Sequence, residues 1–289
     1  MRDLLEWGKD QKAMEISFEE LQASIGVRNN RGDYNKALPM KHADFIEKIA
    51  DMVSKDYDVT VGKIYVPKNR IGVVHELDPE KKGLINASMF RSLIGEIHLN
   101  SLKNDEMNMK LAINITERGV TLAQGTNVQI CSNMTIMGAS NMISTMGRQG
   151  LPFDKFTELF NSWVPQMGVT FENYVNTVEQ MKSIQLGSNG QIQELIGELQ
   201  IAAIRGNYEK GYYGAPLNLS ELSRLTQDLI KKPDFLNDEP MSLWDIFNDF
   251  TYVQTHSEQN IDTKIEDMIR TSEFLLKKYY PESAEIFLN

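Results

Sequence analysis

The stretch Val120–Gly147, VTLAQGTNVQICSNMTIMGASNMISTMG, constrains this chain more than any other. It runs for 28 residues without a charge and holds four methionines and the only cysteine. Such a run is expected inside a fold, where strands give way to helices, and so reads as core rather than as an active site. Met134, Met137, Met142 and Met146 fall in a faint duplication, SNMTIMGA then SNMISTMG. They read as adaptable core filling in preference to a methionine-rich partner groove.

Around that centre, 289 residues are close to the upper limit for one hydrophobic core and would also permit two packed domains. With 41% apolar and 24% charged residues, the chain has the composition of an ordinary folded protein. No uncharged apolar run approaches the ~20 residues of a membrane span. The start, MRDLLEWGKD, carries acids where a signal peptide has its apolar region, so a cytoplasmic protein with no membrane partner is expected. A single cysteine excludes an intrachain disulfide and any multi-thiolate metal site, and nothing calls for a cofactor. Residues 1–150 hold 19 Lys+Arg and 19 Asp+Glu, whereas residues 151–289 hold 11 and 21. The first half is thus free to meet phosphate with a local basic face, and the acidic second half suits a basic protein surface instead.

Periodicity predicts an α+β fold: a helix plus a mostly antiparallel β-meander in the first half and an α-helical second half. Three regions follow, an N-terminal arm over 1–39, an α+β core over 40–150 and a helical region over 151–289. In the arm, Phe18–Ser24 is a helix candidate and RNNRGDYNKALP reads as an extended loop. Phe45, Ile46, Ile49, Met52 and Val53 recur at helical spacing within Lys41–Ser54. Asp58–Val66 and Ile71–Leu77, joined by PKNR, read as a β-hairpin. A short helix over Ala87–Ile94 and strands over Glu96–Asn100, Lys110–Thr116 and Val120–Ile130 complete the half. Beyond Pro152, Phe153, Phe156, Phe160 and Trp163 form one helical stripe. Helices over Phe171–Ile184 and Gln191–Ile204, the latter closed by Gly206, come next. Ser220 and Ser242 are expected as N-caps, and the last helix spans Asp262–Tyr279.

Three short segments, in order, resemble the phage- and plasmid-encoded domain-of-unknown-function family nine-three-two. They are a strand carrying Asn100-Ser101, a strand ending in Ile130-Cys131-Ser132-Asn133-Met134, and a helix in which Trp244, Asn248 and Thr251 precede His256. The similarity covers about residues 40–260, and it departs where LKND follows Asn100-Ser101 and where STMGRQG follows the cysteine segment. The resemblance implies a mobile-element protein and supplies no chemistry, since the family lacks an assigned function.

Cys131 with Asn133 reads either as a thiol nucleophile with an orienting amide or as a small buried hydrophobe beside a backbone-satisfying amide. The absence of a histidine nearby in sequence favours the second. His42, His75, His98 and His256 are dispersed without metal-ligand spacing, and structural or merely exposed roles are favoured. Trp244, Asn248 and Thr251 share one helix face, with the polar pair expected to bond inward to the sheet half. The hairpin is the sharpest functional candidate. Lys63, Tyr65, Lys68 and Arg70 flank its turn and Lys81 and Lys82 the next, though Glu76, Asp78 and Glu80 dilute the patch. Cations with an aromatic are what hold single-stranded nucleic acid. The expectation is a non-enzymatic mobile-element protein that oligomerises and binds a macromolecule, single-stranded DNA above all. An inhibitor of a host defence or regulatory complex is the alternative, and an enzyme using Cys131 or the histidines a weaker one.

Overall fold

In the computed structural model the described residues are 13–23, 37–67, 93–116, 118–128, 134–137, 139–146, 150–186, 189–208, 216–255 and 264–282. The fold is α+β. The chain divides into two compact units, one of Met1–Ser132, Asn141–Phe171 and Asn260–Asp262, the other of Asn133–Ser140, Glu172–Gln259 and Thr263–Asn289.

In the first unit, strands β1 (Ala13–Ile16), β2 (Val59–Pro67), β3 (Leu93–Lys103), β4 (Met107–Thr116) and β5 (Gly119–Val128) lie side by side in that order, and β6 (Met142–Ser144) pairs with β5. All of these pairings are antiparallel. Alternation within LIGEIHLNSLK and MNMKLAINIT sends Leu93, Ile97, Leu99, Leu111, Ile113 and Ile115 to one side of the sheet, where all are buried. That side receives helix α2 (His42–Val53), whose Phe45, Ile46 and Ile49 are buried. Ile46 of this helix reaches Gly95 of β3, where a Cβ would sit in ordinary contact at 3.5 Å from Ile46 Cδ1. Helix α3 (Phe153–Trp163) closes the layer with Phe153 and Phe156, whose rings lie 6.2 and 6.0 Å from that of Phe45.

The strands are longer than the sequence predicts because their turns are tight. Asn104 Oδ1 accepts from the N–H groups of Glu106 and Met107 at 2.9 and 2.7 Å, so β3 and β4 pair almost to the turn. Between β4 and β5 the chain reverses at Gly119, whose φ of 148° suits a residue without a side chain.

Two expectations need correction here, and a third lies partly outside the described residues. Of the hairpin expected from Asp58–Val66 with Ile71–Leu77, the first strand is β2, paired at Ile64 and Tyr65 with β1 on one edge and β3 on the other, and Ile71–Leu77 lies outside the described residues. Of the short helix expected over Ala87–Ile94, Leu93 and Ile94 belong to β3 instead, and the residues before them lie outside the described residues. The N-terminal arm supplies a sheet strand, β1, ahead of helix α1 (Phe18–Ala23), which the sequence does predict.

The second unit is helical. Helix α4 (Met167–Ser183) starts within the first unit's residues; α5 (Asn189–Tyr208), α6 (Leu219–Leu229), α7 (Pro233–Leu236), α8 (Leu243–Thr255) and α9 (Lys264–Tyr279) follow. Strands β7 (Gln185–Leu186) and β8 (Met241–Ser242) pair between them. The N-cap of α6 is Asn218 rather than Ser220, in a reciprocal box with Glu221. Ser242 does cap α8, its Oγ accepting from Asp245 N–H at 3.1 Å. Helix α5 runs through Gly206 instead of ending there. Gln254 Nε2 donates to the carbonyls of Pro216 and Asp267, both at 3.0 Å, tying α8 to the approach of α6 and to α9.

Phe156→Ala, at a wholly buried site, is expected to cost about 3–5 kcal/mol. Leu159→Ala, on the outward side of the same helix, should cost under about 1 kcal/mol. Urea unfolding of both variants checks this, and equal losses would contradict the assignment of that helix face.

Candidate functional site

The side of the sheet opposite α2 is polar yet buried. Register places Glu96 and His98 of β3 beside Lys110, Ala112 and Asn114 of β4, and these beside Thr121 and Ala123 of β5. Glu96, Lys110, Asn114 and Thr121 are all less than 5% exposed. Glu96 Oε2 accepts from His98 Nε2 at 2.9 Å and from Lys110 Nζ at 3.1 Å, while Oε1 is buried without a partner. A carboxylate can only accept, so the His98 proton in this bond sits on Nε2, on a side chain that is 34% exposed.

Sequence creates this geometry at one point on β2. Between Val61 and Ile64 the register slips, so that Gly62 and Lys63 together oppose Glu96 in a β-bulge. Gly62 is the residue that fits, because a Cβ there would lie 2.9 Å from His98 Cδ2 and closer still to Nε2. Burial pushes the Glu96 carboxyl up, but the His98 hydrogen bond and the Lys110 charge outweigh it and hold the group below its ordinary range. His42 is the opposite case: burial alone, with Nδ1 unpartnered, lowers it to about 4. The arrangement at Glu96 fixes an imidazole in one tautomer on a rigid sheet, with a lysine neutralising the acid behind it.

The nucleic-acid candidates are not brought together. Tyr65 is 1% exposed, with its hydroxyl donating to Glu15 Oε2 at 3.2 Å, so its ring is not offered to a base. Lys63 pairs with the same Glu15 oxygen at 3.2 Å. Both side chains point to the Glu96 side of the sheet because Tyr65 opposes Ile94. Lys68, Arg70, Lys81 and Lys82 lie outside the described residues, as do His75, Cys131, Asn133 and His256. Of the resemblance residues, Asn100 N–H donates to the Asp58 carbonyl at 2.8 Å and Ser101 Oγ accepts from Asp58 N–H at 3.2 Å, stitching β3 to the start of β2. Trp244 stacks on Phe247, and Thr251 Oγ1 donates within its own helix, to the Phe247 and Asn248 carbonyls. Met137 is core, its N–H donating to Tyr174 Oη at 2.8 Å.

In the second unit Lys232 Nζ meets both oxygens of Asp249 at 2.5 and 2.7 Å; burial nevertheless pushes that carboxyl up, with Asp245 and Asp228 adding to the rise. No group of three metal-ligating side chains occurs among the described residues, and no helix among them is long and apolar enough to cross a membrane. No family model matches the chain, nor does any curated protein or solved structure.

Glu96→Gln should cost about 3–5 kcal/mol, because Lys110 is then buried without its counter-charge. Gly62→Ala should also destabilise, and should cost much less in a His98→Ala background than in the parent; additive losses in that double-mutant cycle would contradict the steric account. The unfolded chain takes a proton on His42 below pH 6.5 that the folded chain accepts only near 4. Its contribution is therefore intact above pH 6.5 and lost at about 1.4 kcal/mol per unit as pH falls towards 4. His42→Leu should flatten that part of the stability profile, read by thermal melts between these pH values.

Proposed function

We propose that the chain is a non-enzymatic phage or plasmid protein that works in the bacterial cytoplasm by oligomerising and by binding single-stranded DNA in replication or recombination. The observation that carries this reading is the route between β2 and β3. These strands pair directly, Tyr65 opposite Ile94, so the 25-residue connection over 68–92 leaves and rejoins the sheet at neighbouring positions. It bears five cations, Lys68, Arg70, Lys81, Lys82 and Arg91, against the acids Glu76, Asp78 and Glu80. Cations tethered to one end of a rigid sheet suit phosphate contact without base readout. With Tyr65 buried, the reading rests on phosphates more than on stacked bases.

A second reading, a protein-binding inhibitor of a host complex, is favoured by the acid excess of the second unit. There the exposed acids Asp234 and Glu239 flank Leu236, which is 66% exposed.

Gel shifts with single-stranded oligonucleotides should show binding that weakens steeply with salt; about four phosphate contacts give a slope near −3 in log affinity against log salt. Lys68→Glu with Arg70→Glu should abolish the shift. Oligonucleotides that never shift, or a double variant that binds like the parent, would overturn the proposal.

A further inference from the structure

We draw no further inference here: the strongest candidate, the buried side-chain cluster of Glu96, His98 and Lys110 on the side of the sheet opposite α2, belongs to the site already described, and its Glu96 Oε1, buried without a partner, would accept from water, a hydroxyl or an amide alike and so selects no ligand.

Discussion

A buried carboxylate held between a lysine and an imidazole is the constraint on which the first unit depends. Removing a carboxylate from water costs several kcal/mol, and only close opposite charge and hydrogen bonds offset that cost. Glu96 meets the condition through His98 on its own strand and Lys110 on the next. The register of β3 against β4 is therefore fixed from both sides of the sheet. A slip of one residue would turn Glu96 towards Ile46 and Phe45 and carry Ile97 out of the core. The bulge at Gly62 and Lys63 extends the same constraint to β2, since the imidazole occupies the space a side chain at residue 62 would take.

The second unit is stabilised by different means. Helices α6 and α8 begin at reciprocal caps, Asn218 with Glu221 and Ser242 with Asp245, which satisfy backbone N–H groups that a helix start leaves open. Gln254 joins three segments through two carbonyls, and leucines on α6 fill the space beside α8. With its cations largely engaged, as Lys232 is with Asp249, the acid excess of this unit is left to face outward. The proposals divide accordingly: phosphate contact on the near-neutral first half, protein contact on the acidic second.

Much of the sheet was legible in the sequence because alternation survives where one side of a strand meets an apolar core. The strands around Glu96–Asn100 and Lys110–Thr116 were visible for that reason. What local signals could not convey was pairing at a distance. PKNR has good turn chemistry, yet β2 takes its neighbours from Ala13–Ile16 and Leu93–Lys103, far from it in the chain. β1 itself is four residues among charged and polar ones, too short for a period to register. Parity along β3 already put Glu96 and His98 on one side, and the strand expected at Lys110 supplied the third member. Their burial was the hidden part, since lysine and glutamate are seldom interior unless paired. The same limit made Tyr65 read as a surface ring. Asn218 with Glu221 was readable as a capping box, and Ser220 competed with it only through residue type.

The central claim is that Glu96 stays ionised inside the protein. Carbon-13 NMR titration of the glutamate side-chain carboxyls, with Glu96 assigned by substitution, tests it most directly. The account predicts that the Glu96 signal titrates below the ordinary glutamate range and moves upward when Lys110 is replaced by methionine. A Glu96 signal titrating at or above that range in the parent protein would contradict it.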